Sequence, residues 1–413
     1  MENNTQDTLQ FGYAETADQL KSIIKVAGVG GGGSNAVRNM YNEGIEDVTF
    51  LIINTDRAAL EDSPVPQKLQ ISDEGLGAGA QPEKAREYAL QYEEAIRNAL
   101  DDGTKMIFIT AGMGGGTGTG ASPVVARIAH DMGILTIGIV TIPFKFEGQM
   151  KIEMALRGVE EIRKYVDALL VVNNNRLIDI YPDLQFFNAF KKADDTLTRA
   201  TRSISDIINK VGYINLDFAD VKKTLENSGV ALISMGEASG ENRVTQAINE
   251  AIVSPLLQDN KITNAKRLLF EICYSAQSQP SMEEMNEVTR FVDKLRPDIE
   301  VIWGALQDDT LEDKVRFIIL AAGFEVDDIR ETPTKTKAKI GTYYDEETEE
   351  EMRMNQIRKN FYIFDKDDLS DEQLATRLEN SPAYSRSYDD LCGLSSAPQG
   401  QPGSTSVEGN IFG

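Results

Sequence analysis

Apolar residues along this chain follow two periods in turn, and that alternation predicts the architecture. Near-continuous aliphatic runs at Ile23 to Val26, Val48 to Asn54, Met106 to Ile109, Ile134 to Ile142 and Ala168 to Val172 read as buried strands. Between them apolar residues recur at helical spacing: Ala36, Val37, Met40 and Tyr41 up to Gly44; Ala85, Ala89, Tyr92, Ile96 and Ala99 up to Gly103; and Val124, Val125, Ile128 and Ala129 up to Gly133, with Pro123 placed in the first turn. Glu147 to Tyr165 reads helical as well. Strands alternating with helices predict an α/β unit: a Rossmann-like parallel sheet with helices on both faces and ligand loops at the strands' carboxyl ends.

A longer pattern from Phe186 to Val211, with Phe190, Leu197, Ile204, Ile207 and Ile208 on one side, predicts a central helix. Beyond it, helices near 218–227 and 241–254 and strands near Ala231–Met235, Arg267–Tyr274, Val301–Ala305 and Val315–Ala321 predict a smaller α+β domain. After Asp327 the pattern fails: Asp345 to Glu372 holds eleven acidic residues against four basic, and 394–409 is rich in Ser, Pro, Gly and Gln, which no core can use. The expected boundaries are a disordered extension over 1–20, a nucleotide-binding domain over 21–185, the central helix over 186–212, the α+β domain over 213–327 and an acidic tail over 328–413. Within the tail, Phe361 to Phe364 is either a partner-binding patch or a residual apolar cluster.

Glycine interrupts the pattern in three places. Thr110 to Gly120 holds six glycines in eleven residues, directly after a strand and before a helix. Such density weakens regular structure by roughly 0.5–1 kcal/mol per residue relative to Ala, and persists where backbone must bend or touch a ligand. A flexible linker would be set among Ser, Pro and charge instead. Strand, glycine loop and helix N-terminus together make an anion cradle from backbone N–H groups, here Gly114, Gly115, Gly116, Thr117, Gly118 and Thr119. Gly28 to Gly33 is a second cradle, with Gly30, Gly31, Gly32, Gly33 and Asn35 at the start of its helix. Alone it satisfies GxGxxG, and Asp56 follows the next strand, so a nicotinamide-dependent oxidoreductase is a rival reading. The third stretch, Gly75 to Gln81, is a surface connection or a γ-phosphate contact through Ala78 and Gly79.

Charge and composition narrow the picture. At 413 residues with a net charge of −24, the chain is poorly suited to bind nucleic acid or anionic lipid over a broad surface. Cys273 and Cys392 fit neither a disulfide framework nor a zinc motif, and His130, the single histidine, lies in a helix pattern as a surface residue. Met1 to Gln19 has no apolar core of a signal peptide, and no run reaches the length of a membrane span, so a cytoplasmic protein is expected. No GxxxxGK[ST] motif occurs. A triphosphate would be met by two helix N-termini and a divalent ion, with Mg²⁺ the expected one, although no dedicated metal-ligand cluster is visible.

GGGTGTG in this setting resembles the signature of the FtsZ family of bacterial, tubulin-like cell-division GTPases, and the resemblance runs from about Lys25 to about Gly323. It implies GTP and GDP as ligands, hydrolysis, and head-to-tail filaments at the mid-cell division site. By that resemblance Gly31 to Gly33, Asn35 and Gly116 to Gly118 hold phosphates or ribose and Glu147 lies at the ribose, while Asn174, Arg176, Phe190 and Asp195 surround the guanine. Lys151 stands where the family commonly has Arg, keeping charge but losing the fork. Asn215, Asp217 and Asp220 look like the family's loop that completes the next subunit's active site. From the residues alone, Asp217 and Asp220 read first as caps of the helix that follows, and it is the resemblance that turns the reading to catalysis. Division adaptors and regulators are the implied partners, yet the ending Ser406 to Gly413 departs from the family's adaptor-docking peptide. A nucleotide-binding scaffold that polymerises and barely hydrolyses is the third reading.

Overall fold

The computed structural model describes residues 22–180, 185–210, 212–252 and 262–324. The expected N-terminal extension, the acidic tail with Phe361 to Phe364 and Cys392, and Val211 lie outside them.

The chain builds β1 (Ile24–Val29), α1 (Gly30–Asn42), β2 (Thr49–Asn54), α2 (Arg57–Glu61), β3 (Gln67–Gln70), α3 (Pro82–Gln91), α4 (Glu93–Leu100), β4 (Met106–Gly112), α5 (Gly116–Asp131), β5 (Leu135–Ile142), α6 (Gln149–Ile162), β6 (Ala168–Asn173), α7 (Asn174–Ile180) and α8 (Phe186–Asn209). It continues through α9 (Phe218–Leu225), β7 (Gly229–Ala238), α10 (Arg243–Ile252), β8 (Arg267–Tyr274), α11 (Met282–Asp293), β9 (Glu300–Gln307) and β10 (Val315–Phe324). All ten strands form one sheet in the order β3-β2-β1-β4-β5-β6-β7-β10-β8-β9. Pairing is parallel from β3 to β7. Beyond that, β7–β10 and β10–β8 are antiparallel and β8–β9 is parallel. The two halves of the sheet meet at β6 and β7 through two residue pairs only, Ala168 with Gly229 and Leu169 with Val230.

The predicted strands form because their apolar runs are buried on both faces: β1, β4 and β5 carry Ile24, Val26, Phe108, Ile109, Ile137 and Ile139, all fully buried. Chain order reverses between β1 and β4, since β2 and β3 extend one way from β1 and β4 to β6 the other. Such a switch point opens a crevice outside the strands' carboxyl ends. The helix after β4 corrects the sequence reading. It starts at Gly116 rather than near Pro123, so Pro123 lies two turns inside α5 and the GTGTG residues are its first turns.

Tight packing overrides their weak helix propensity. A Cβ on Gly118 would fall 2.5 Å from the Gly112 carbonyl oxygen, and one on Gly120 would fall 1.9 Å from that of Pro82. The helix predicted from 82 to 103 breaks at Tyr92 into α3 and α4. The edge strand β3 is too polar to have been predicted, whereas helix α11 was missed although Ser281 and Glu284 form a capping box and Met285, Val288 and Phe291 recur at helical spacing.

Candidate functional site

The start of α5 is where the predicted loops converge. Gly30, at φ 73°, opens α1 with its Cα pressed against Gly118: a Cβ there would lie 2.5 Å from the Gly118 nitrogen. The third glycine stretch packs on the same turn, since a Cβ on Gly116 would meet Ala78 at 3.1 Å and the Gln81 nitrogen at 3.0 Å. From the other side, Gly114 abuts the carbonyl of Lys151, 2.8 Å from where its Cβ would be. Thr119 Oγ1 accepts the Gly114 N–H at 2.9 Å, and the hydroxyls of Thr55 and Thr117 lie 2.7 Å apart. Four backbone segments and three threonines thus close around one turn.

One side of this assembly is open. Cβ atoms on Gly31, Gly77, Gly79 and Gly115 would meet nothing within 4 Å. Gly77 and Gly79 sit at φ 80° and 58°, which favours glycine, but neither contact nor backbone conformation explains Gly31 and Gly115, which stand at the N-termini of α1 and α5. That is what a polyphosphate requires.

A second group of predicted residues lies beyond β5. Glu147 accepts the Phe144 N–H at 2.9 Å and pairs with Lys151 at 3.3 Å across one helical turn. Phe144 stacks on Phe146 at 4.9 Å between centroids and meets Phe190 of α8 edge-on at 5.0 Å, so an aromatic corner brings Phe190 to Glu147. Asn174, at the first position of α7, is buried, and its Oδ1 has no hydrogen-bond partner. An orphaned buried acceptor costs about 1–3 kcal/mol and marks a place where a ligand donor is wanted. Asn35 accepts from Arg38 at 3.2 Å. Asp195 accepts from Asn39 of α1 at 3.3 Å, which ties α8 to the helix of the second cradle. The side chain of Arg176 lies outside the described residues.

Asn39, Thr55, Phe144 and Asp194 belong to this neighbourhood and carry no local motif. Burial pushes the Asp194 carboxyl up to about 7; the adjacent Asp195 pushes the same way and Arg38 opposes them. Only the adjacency of two acids in the central helix hints at it from sequence. Asp56, the acid of the rival dinucleotide reading, instead caps α2 by accepting the Ala59 N–H at 3.2 Å. His130 is exposed on α5, and Cys273 is buried on β8.

Asn215, Asp217 and Asp220 are not brought to the cradle. Helix α8 runs beside α1 in the same direction: Asp195 meets Asn39, Arg202 meets Glu43, and Asn209 donates to the Asp47 carbonyl. Because α1 starts at the cradle, the end of α8 lies at the far edge of the sheet, about 20 Å away along a helix of 13 residues. Ile214 then bridges to Ala305 of β9, and Asn215 Oδ1 accepts the Gly212 N–H at 2.6 Å. The two acids form a capping box on α9. Asp217 Oδ1 accepts the Asp220 N–H at 3.0 Å, and Asp220 Oδ2 accepts the Asp217 N–H at 3.1 Å. Each carboxylate retains a second oxygen, and Asp217 is exposed.

Among the described residues no three His, Cys, Asp or Glu side chains converge on a metal position, and no helix is long and apolar enough to cross a membrane.

Residues 23–182 match the model of the Tubulin/FtsZ family GTPase domain, and residues 229–325 match that of the FtsZ family C-terminal domain. The "Cell division protein FtsZ" of Porphyromonas gingivalis is 47% identical over 407 residues, covering 92% of this chain and 88% of that protein. The protein of the same name from Aquifex aeolicus is 42% identical over 321 residues, 77% of this chain and 87% of its own length. Among solved structures, an FtsZ dimer of M. jannaschii superposes with a TM-score of 0.67 at 38% identity, over 74% of this chain and 89% of that one. A GTPγS-bound protofilament of CetZ2 from Haloferax volcanii shares the fold at 19% identity, with a TM-score of 0.65, over 80% of this chain and 99% of its own. None of these relatives is an oxidoreductase, and the convergence of both glycine cradles on one turn agrees with the family models: this chain belongs to the FtsZ family of tubulin-like cell-division GTPases.

Proposed function

We propose that GTP lies across the cradle, between the first turns of α1 and α5, and is hydrolysed only where a second subunit supplies Asp217 and Asp220. The observation that carries this is the separation described above: the acids stand at the edge of the sheet opposite the glycines. A subunit cannot bring both to one phosphate. Head-to-tail association is heterologous, joins one edge to the other and propagates as a filament, so each contact completes one site.

In this reading backbone N–H groups of Gly31, Gly32, Gly33, Gly115, Gly116, Thr117 and Gly118 hold the phosphates, with Ala78 and Gly79 toward the γ-phosphate. Glu147 and Lys151 border the ribose. Asn174 and Asp195 take the base, because a carboxylate accepts from both N1–H and N2–H₂ of guanine whereas adenine offers no such pair; Phe190 and Arg176 complete that pocket. Mg²⁺ when bound neutralises phosphate charge. The second carboxylate oxygens of Asp217 and Asp220 orient the attacking water. Capping and catalysis are then compatible, since the reciprocal box fixes both carboxylates before the neighbour arrives. Domain boundaries follow the same logic, with 21–185 as the nucleotide unit, α8 as connector and 213–327 as the unit presenting the acids. The tail is the docking segment for division adaptors at mid-cell.

Turnover measured against protein concentration tests the shared site. Activity per subunit rises with concentration and levels off as filaments form. Activity per subunit that stays constant down to concentrations with no assembly by light scattering overturns it.

A further inference from the structure

An open groove of about 670 Å³ lies at the far edge of the sheet, between the end of α1 and the starts of β2 and β3. Its floor is Ile45 and Phe50 and its walls are Tyr41, Val48 and Pro66; none of its lining residues carries charge. Tyr41 meets Phe50 edge-on at 5.7 Å and remains 39% exposed, so an aromatic face is left at the surface. The groove plays no part in the cradle. β3, which contributes Gln67 to it, is the edge strand of the sheet.

We propose that this groove is the docking site for the chain's own N-terminal extension, with Leu9, Phe11 and Tyr13 as the anchors. Three observations select that occupant. First, the extension ends at the groove: Ser22 is hydrogen-bonded to the Asp47 carbonyl, and Asp47 directly precedes the groove residue Val48. Second, Leu9-Gln10-Phe11-Gly12-Tyr13 alternates large apolar with polar or small residues, the period that places three side chains on one face of an extended peptide. These are the only large apolar residues between Glu2 and Gln19. Third, Thr8 to Ala14 is uncharged in a strongly acidic protein, and so is the groove lining. The nine steps from Tyr13 to Ser22 reach about 30 Å when extended, enough to lay the segment along the groove.

Hydrogen exchange on the full chain tests this without nucleotide, by comparison with a Leu9→Ser, Phe11→Ser, Tyr13→Ser variant. The described core contains none of these three residues, so the fold survives the substitutions. Losing the anchors speeds exchange at 41–50 and 66–69 by about tenfold, the effect of removing one or two buried apolar side chains, and leaves the rest unchanged. A photocrosslinking residue at position 11 gives the second reading. It attaches to 41–50 or 66–67 of the same molecule, and Tyr41→Ser lowers that yield. Unchanged exchange, a crosslink elsewhere, or a crosslink to the groove of a second molecule each overturns the proposal, the last by assigning the groove to a neighbouring copy.

Discussion

The two edges of the sheet are built on opposite principles. At the cradle the geometry is set by backbone against backbone: Gly30 on Gly118, Gly118 on Gly112 and Gly120 on Pro82 lie so close that no side chain fits. At the far edge Asp217 and Asp220 are held by two side-chain hydrogen bonds at the surface, with nothing packed over Asp217. The cradle edge therefore couples chemistry to folding, because the residues that shape it also close the core. The acid edge separates the two in the proposed mechanism, since its carboxylates can be removed while the protein stays folded.

The largest expected effect exploits that separation. Serine is as good an N-cap as aspartate, so Asp217→Ser keeps the Asp220 N–H satisfied and removes only the carboxylate. The melting temperature should hardly move while GTP turnover in assembled protein falls by about 10²-fold or more, the usual worth of a positioned acid or base. If activity survives and only stability changes, the acids are caps and nothing else.

Next comes the converse at the cradle. In Gly120→Ala the new methyl meets the Pro82 carbonyl, and overpacking against backbone costs about 3 kcal/mol. Urea denaturation should show that loss whether or not GTP is added at low concentration. A stable Gly120→Ala protein would mean that α3 shifts at little cost.

A third effect compares the two ends of α8, each of which faces a buried acid. Burial pushes Glu271 of β8 up to about 7; Asp206 of α8 also works against ionisation, whereas the Cys273 thiol, Lys210 and Arg316 favour it. Asp194, at the cradle end, is raised to about 7 as well. For an acid whose folded pKa is raised, the native state holds its proton longer than the unfolded chain, so stability is full below the unfolded pKa and is lost as pH rises toward the folded one. Between about pH 4.5 and 7 Glu271 alone should remove about 3 kcal/mol. Glu271→Gln should flatten roughly half of that slope in urea unfolding from pH 5 to 8, leaving the part due to Asp194. A slope identical to that of the parent would place the titration elsewhere.

The smallest effect concerns a glycine of the other kind. A Cβ on Gly31 meets nothing, so Gly31→Ala should leave stability within about 0.5 kcal/mol, yet the methyl would enter the proposed phosphate site. Calorimetry should show GTP binding weakened by about tenfold, or 1.4 kcal/mol. Unchanged affinity would move the phosphates away from α1.

Much of this was legible from the chain alone. The alternation of buried runs and amphipathic segments determined the parallel part of the sheet, because a strand buried on both faces must be apolar throughout, and β8 appears at Arg267–Tyr274, the range its pattern predicts. The glycine clusters marked the cradle, since no local structure calls for them, and the GGGTGTG signature named the family.

The rest required contacts between residues distant in sequence. Where α5 begins was decided by Gly112 and Pro82 crowding its first turns, which overrode the start that Pro123 suggested. That Asp217 and Asp220 cap a helix and also stand far from the cradle was decided by the course of α8 along α1, not by their spacing. Sequence periodicity records which face of an element is buried. It does not record which element covers that face, so the unpartnered Asn174 oxygen, the buried carboxyls of Asp194 and Glu271, and the groove beside Ser22 emerge only when the sheet is assembled.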